Sequence, residues 1–439
     1  MFRALSRFAA LALWMCPALA GPLPYAEPEF PEVNSAQVEL GQLLFYDPIL
    51  SGSKSVSCAT CHHPRFGTGD GVSLGLGDGG IGLGPERLAD TDNLPEQRIP
   101  RNVPPLFNLG AKEFTVFFHD GRLEEDPNRP SGIRTPLGSE MEMGFASALS
   151  AQSMFPVLSP DEMAGHYAEN KVAQTVRQGL ITGPGGAWDI LSKRVEDIPD
   201  YRARFDIVIG PEPVSFTHIS DAIAAFIDFE WRGVASPFDR YLRNGTAMED
   251  AAMRGMDFFY GDAGCAACHS GRFQTDHGFH AIAMPQIGPG KAARFESHAR
   301  DTGRMRVTGR SEDAYAFRTP PLRNIAQTAP YGHSGAYATL EGVIRHHLDP
   351  VASLRGYDIS QAVMPGFEAD DLRIMTDAAE VDAIARANSL APVALSDDQV
   401  ADIIAFLNAL TDPQSVRGAL GIPQASFRAT VPSGLPVDQ

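Results

Sequence analysis

Two short stretches of the chain carry the same pattern of reactive side chains: Cys58-Ala59-Thr60-Cys61-His62 and Cys265-Ala266-Ala267-Cys268-His269. Two thiols one helical turn apart can form thioethers to the two vinyl groups of a haem, and the His that follows reaches the iron from the same side. Each stretch therefore reads as a covalent c-type haem site, with His62 and His269 as proximal ligands. A structural zinc centre could draw ligands from both Cys pairs, but 207 residues separate Cys58 from Cys265 and both pairs carry the extra His. A thioredoxin-like dithiol needs neither the second copy nor the His. The opposite face of each iron decides between electron transfer and peroxide or oxygen chemistry, and spacing alone does not assign it.

The elements that must position these residues repeat as well. Gly41-x-x-x-Phe45-Tyr46 precedes the first motif and Gly255-x-x-x-Phe259-Tyr260 the second, and each motif continues as Cys-Ala-x-Cys-His-x-x-Arg-Phe, to Phe66 and to Phe273. An internal duplication is the simplest account. Val38, Leu40, Leu43 and Leu44 form an apolar stripe after the helix-starting Asn34-Ser35. Downstream, Ser396 and Gln399 predict a capping box, with Leu395 and Val400 as its staple and Val400, Ile403, Ile404 and Leu407 as the buried face. Ile219 to Trp231 predicts a further helix near the boundary of the halves. Long Gly- and Pro-rich stretches, Gly67 to Pro104 and Gly271 to Pro321, need an organising centre, which a haem in each half would supply.

At 439 residues the chain has room for two to three domains. Residues 1–20 read as a secretory leader, with Arg3 and Arg7 before the apolar Phe8 to Trp14 and a cleavage site at Ala18-Leu19-Ala20; Cys16 as a lipid acceptor fits poorly beside Trp14 and Met15. The expected domains are then 21–242 and 243–439. The formal charge is −18, or −20 once the two leader arginines leave, which repels nucleic acid and anionic membrane. No later segment reaches the ~18 apolar residues of a membrane span. The expected location is the periplasm.

The sequence resembles the bacterial di-haem cytochrome c peroxidase and MauG family from about Leu40 to Leu410. The resemblance rests on Leu43-x-Phe45-x-Asp47, Arg101-Asn102-x-Pro104, Phe118-His119-Asp120-Gly121-Arg122, Asp301-Thr302-Gly303-Arg304, and Phe317-Arg318-Thr319-Pro320-Pro321-Leu322-Arg323-Asn324 running on to Thr328-Ala329-Pro330-Tyr331-x-His333-x-Gly335. It implies a mostly α fold of two duplicated cytochrome c-like haem domains with long loops, two covalent haems, and peroxide reacting at the N-terminal one. The family's distal Gln-x3-Pro-x5-Glu falls on Gln152, Pro156 and Glu162. Breaking O–O needs a base to carry a proton between the oxygens, and a carboxylate in an apolar pocket can do so. Glu162 is the candidate acid/base, and Gln152 a group that orients peroxide or water. The plain alternative has Glu162 capping a helix that begins near Ser159. The family also implies calcium between the haems, on positions matching Asn102, Thr328 and Pro330; oxygen-only ligands suit that ion.

Three departures bear on function. His119 replaces the family's haem-bridging Trp, as a hydrogen-bonded relay or as a structural group, and some twenty residues are inserted before Gln152. No His lies between His63 and His119, and the place of the peroxidases' distal His falls near Asp78, so the N-terminal iron is expected to be open, as in the MauG branch. The position of the second haem's distal ligand, Met in the peroxidases and Tyr in MauG, falls on His347, with His346 and Met364 as rivals. The expected function is an exported peroxidase reducing hydrogen peroxide, with electrons relayed through the C-terminal haem from a small c-type cytochrome. A MauG-like oxidase acting on a periplasmic protein partner and a non-catalytic di-haem electron carrier are the alternatives.

Overall fold

The computed structural model describes residues 23–24, 27–166, 169–291 and 298–423; the leader and Cys16 lie outside the described residues. The chain is mostly helical, with three very small antiparallel sheets among the described residues. Among the described residues no helix is long and apolar enough to cross a membrane.

The first helix, Ser35–Tyr46, starts where Asn34 turns its side-chain oxygen onto the Ala36 N–H at 2.9 Å, and it buries Val38, Leu40, Leu43 and Leu44. It packs across the helix Phe216–Glu230. The two approach so closely that a Cβ on Gly41 would drive into the carbonyl oxygen of Ala222. Phe45 closes the contact, with ring centroids 5.2 Å from Phe226 and 5.3 Å from Trp231. The helix expected over Ile219 to Trp231 begins earlier, at Phe216, because Ser215 caps it by accepting from the His218 N–H.

The second half repeats this device. The helix Asp250–Tyr260 packs on Asp397–Ala409, a Cβ on Gly255 would meet the Asp402 carbonyl, and Phe259 lies 5.2 Å from Phe406. Each fully buried Phe contributes on the order of 2 kcal/mol by leaving water. The capping box of Ser396 and Gln399 is present as the sequence predicts. The helix Pro237–Asn244, which crosses the expected boundary at 242/243, sends Phe238 into the second half's apolar cluster beside Phe406.

The long Gly- and Pro-rich stretches are braced by buried arginines. The Arg87 guanidinium donates to the carbonyls of Gly77 and Gly82, and Arg98 spans the halves to Asp371 at 3.0 Å and to the carbonyls of Pro365 and Phe367. These bonds satisfy backbone oxygens of irregular segments, and add a second donor to the Gly77 carbonyl, which also closes a 3-10 turn by accepting from the Gly80 N–H.

Candidate functional site

Cys58–Cys61 form a single helical turn, and Cys265–Ala267 a tighter 3-10 turn, so each pair of thiols sits on one side of a short coil with its His next in line. The His62 Nδ1–H donates to the Thr68 carbonyl at 2.9 Å, and the His269 Nδ1–H to the Gln274 carbonyl at 3.0 Å. Both bonds fix the tautomer that leaves Nε2 with its lone pair free for a metal. Burial pushes both imidazoles down to about 4, so they are neutral at pH 7, as ligands must be. It also pushes the thiols of Cys58 and Cys61 up to about 12, away from the thiolates that zinc or dithiol exchange requires.

Opposite His269 stands His347, ring centroids 6.4 Å apart and planes at 55°. Two metal–imidazole bonds of about 2 Å each would put the centroids about 6 Å apart, so the residues present fit one iron held between two rings. His347 donates from Nδ1 to the Val343 carbonyl at 2.7 Å, which again leaves Nε2. The neighbouring His346 has both nitrogens engaged: Nε2–H donates to the Ile282 carbonyl at 2.8 Å and Nδ1 accepts from the Tyr337 hydroxyl at 3.0 Å. Met364 belongs to a strap tied to the first half, where the Ser73 N–H donates to the Val363 carbonyl at 2.7 Å and Arg98 holds the Pro365 carbonyl. Cys268, Asp276 and His280 bring metal-binding atoms within 4.8 Å of one another, but that grouping shares Cys268 with the thioether motif.

In the first half, a cavity of about 720 Å³ is walled by Phe118, Arg122, Phe155, Pro156, Glu162 and Lys291, among others. Glu162 sits in a π-helical turn, Pro160–Ala164, with its N–H on the Ser159 carbonyl at 3.2 Å, so it is both a residue of a helical first turn and a group in the cavity wall. Burial pushes its carboxyl above the usual carboxylate range, against the opposing pull of Lys291, Arg122 and a hydrogen bond from Ser159. Gln152, on the helix Ala148–Ser153, is not among the residues that line this cavity. Asp78 is tied back by the hydroxyls of Ser53 and Ser55 and by Asn93 Nδ2 at 3.3 Å.

Between the halves, Arg101 makes a two-pronged pair with Asp301, at 2.6 and 2.8 Å, and reaches Asp120 at 2.8 Å. Arg304 donates to the Gly121 carbonyl at 2.8 Å, and the Arg318 N–H to the His119 carbonyl at 2.8 Å. The His119 imidazole is held well below its ordinary pKa, by burial first and then by Arg101, His333 and Arg318. His333 stacks on Phe317 at 3.8 Å, and neither of its ring nitrogens has a hydrogen-bond partner among the described residues. Asn102 spends its Nδ2 on the carbonyls of Val72 and Ser73, at 2.9 and 3.2 Å, which leaves Oδ1 as its remaining side-chain acceptor; Thr328 and Pro330 stand on either side of Ala329, whose bond to Pro330 is cis.

The family model described as di-haem cytochrome c peroxidase matches residues 35–247. The methylamine utilization protein MauG of Methylorubrum extorquens is 34% identical over 331 residues, 74% of this chain and 71% of that protein. The chain belongs to the di-haem cytochrome c peroxidase family. Cytochrome c551 peroxidase of Pseudomonas aeruginosa is 30% identical over 313 residues, 71% of each chain. A crystal structure of a MauG-like protein associated with microbial copper homeostasis superposes with a TM-score of 0.55 at 25% identity, covering 92% of this chain and 96% of that one. The diheme peroxidase BthA of Burkholderia thailandensis shares the fold, with a TM-score of 0.57 at 20% identity over 92% of this chain and 97% of its own. Membership makes this di-haem peroxidase relative an oxidoreductase and implies two haems, for which the two Cys-His motifs offer the neutral, correctly oriented imidazoles described above.

Sequence reasoning missed Lys291, which reaches the first half's cavity from a loop of the second. The only signal for it in this peroxidase-family chain is the Gly288-Pro289-Gly290 turn before it, whose purpose depends on what the loop packs against.

Proposed function

We propose that this protein is an exported, periplasmic di-haem peroxidase that reduces hydrogen peroxide in the cavity of its first half and takes electrons through its second half from a small c-type cytochrome. On this reading Cys58, Cys61 and His62 hold the first haem, and Cys265, Cys268, His269 and His347 the second, in two duplicated cytochrome c-like domains. Asn102, Thr328 and Pro330 hold calcium between them. The bound haems supply the electrons and the site at which peroxide is held. The observation that carries the reading is Glu162: a carboxyl with a raised proton affinity in the wall of a cavity, within the di-haem cytochrome c peroxidase family.

Glu162 accepts the proton of the peroxide's inner oxygen on its carboxylate and returns it to the outer oxygen, which leaves as water. Phe118, Phe155 and Pro156 present apolar surface that limits water around this transfer. Proton movement is assigned to Glu162 alone, because Gln152 does not line the cavity. The way Asp78 is tied back to Ser53, Ser55 and Asn93 supports an N-terminal site that is open without prior reduction. That feature, the His269–His347 pairing and the similarity to MauG favour a second reading, in which the same chemistry oxidises a protein partner.

The test is electron paramagnetic resonance of the fully ferric protein before and after one equivalent of hydrogen peroxide, without reductant. One high-spin and one low-spin signal, with the high-spin signal lost within seconds, is the expected result. Two low-spin signals unchanged by peroxide would refute the open-site reading and leave an electron carrier or an enzyme that requires prior reduction.

A further inference from the structure

We propose that Lys291, carried by a loop of the second half, is a cationic group that holds negative charge in the first half's cavity during O–O cleavage. The inference rests on the peroxidase reading above and adds a positioned charge to it.

The loop is built to deliver this side chain. Gly288 and Gly290 both adopt left-handed backbone, at φ +76° and +69°. A Cβ on Gly288 would collide with Leu74 of the first half, and one on Gly290 with the Ala299 carbonyl. The Gly288 N–H is anchored to the Asp371 carbonyl at 2.8 Å. No residue but glycine fits this path without strain, and the path ends with Gly290 and Lys291 in the cavity wall.

Among the described residues, the charges that act most strongly on Lys291 are Arg122, Glu162, Arg101 and Asp301. Three of them are committed elsewhere. Arg101 and Asp301 are spent on each other, and Arg122 is paired with Asp120 at 3.2 Å and laid over the Phe118 ring at 3.7 Å. Lys291 and Glu162 thus share one cavity wall, together with Asp161, Arg129, Arg134 and Arg306.

The chemistry needs both. Reduction of HOOH by two electrons and two protons gives two waters; the O–O bond breaks with its electron pair going to the outer oxygen, so negative charge develops there until a proton arrives. Glu162 handles the proton. A fixed ammonium in a partly desolvated cavity stabilises the charge, because it is already oriented and weakly screened. The same ammonium must favour any small anion over a neutral ligand of similar size at this site.

The experiment compares wild-type holoprotein with Lys291→Met and Lys291→Arg, reading binding of fluoride and of neutral nitric oxide at the ferric high-spin haem at pH 7 by absorption titration. The expected result is fluoride affinity weakened at least ~10-fold in Lys291→Met and largely kept in Lys291→Arg, nitric oxide affinity unchanged, and single-turnover peroxide reaction slowed about 100-fold in Lys291→Met. An unchanged second-haem spectrum shows that the variants are folded. Equal fluoride affinity in wild type and Lys291→Met would overturn the proposal, including where the first haem's own spectrum shifts, which would assign Lys291 to the haem periphery. The underlying reading fails separately: Glu162→Gln with an unchanged peroxide rate removes the acid/base role, yet leaves the fluoride difference to decide the role of Lys291.

Discussion

At the scale of single residues, hydrogen-bond accounting separates side chains that spacing leaves equivalent. His346 and His347 are adjacent in sequence, and both are kept neutral by burial. His346 has no lone pair to offer, since its nitrogens serve Tyr337 and Ile282, whereas His347, its ring 6.4 Å from that of His269, commits only Nδ1 and keeps the Nε2 lone pair. His347→Gly is therefore expected to change the absorption and magnetic spectrum of the second haem. His346→Gln should leave that spectrum as it is and lower stability by about 1–3 kcal/mol, read by thermal denaturation, because Tyr337 and Ile282 lose a buried partner. For Glu162, replacement by Gln keeps the shape and removes the proton acceptor; the peroxide rate should fall at least ~100-fold in stopped-flow measurements, with both haem spectra intact. The thioether motifs were legible in sequence because their chemistry demands adjacent residues. Lys291 was not, because 129 positions separate it from Glu162 and only the packed loops bring them to one cavity.

At the scale of elements, the paired Gly-x-x-x-Phe-Tyr stretches show what was readable and what was not. The apolar stripes and the Asn34 and Ser396 caps announce helices, and helices are there. The crossing partners, Phe216–Glu230 and Asp397–Ala409, follow from the glycines only once the contact is seen. Gly in a helix interior costs about 1 kcal/mol relative to Ala, so propensity alone says that Gly41→Ala and Gly255→Ala stabilise. The carbonyls of Ala222 and Asp402 stand where the methyl would go, so both substitutions are expected to destabilise by roughly 1–3 kcal/mol through forced separation of the helices. Chemical denaturation of each variant reads the sign, and a gain in stability would refute the close-approach account. The small sheets escaped sequence reading for a related reason. Strands of two or three residues, such as Val116–Phe117, Leu123–Glu125 and Ile133–Arg134, carry too little alternation to register, and their order is set by the surrounding packing.

At the scale of the whole molecule, the motifs Arg101-Asn102, Phe118 to Arg122, Asp301 to Arg304 and Phe317-Arg318 are scattered over some two hundred residues and converge between the halves. Arg101 is the hub: its guanidinium is 7% exposed and its partner Asp301 is 1% exposed. Burial by itself would raise the Asp301 pKa, but the Arg101 charge and its hydrogen bonds outweigh burial and hold the carboxyl well below the usual range. Asp120 is shifted the same way by the same guanidinium. A carboxylate whose folded-state pKa is depressed contributes stability that is fully present above its unfolded value, about 3.9, and lost as pH falls toward the folded value. The junction of the halves should therefore weaken as pH drops below about 4. Asp301→Asn removes one of the two carboxylates on a buried guanidinium, with Asp120 still paired to it at 2.8 Å, and should cost about 1–3 kcal/mol at neutral pH through the lost charge-assisted hydrogen bonds. Because the variant has no carboxylate left to protonate at that position, its melting temperature should also fall less steeply than wild type between pH 4 and pH 2. A variant that loses stability at pH 7 but keeps the wild-type acid slope would move the acid sensitivity to other carboxylates held low by a cation, Asp120 beside the same guanidinium first among them.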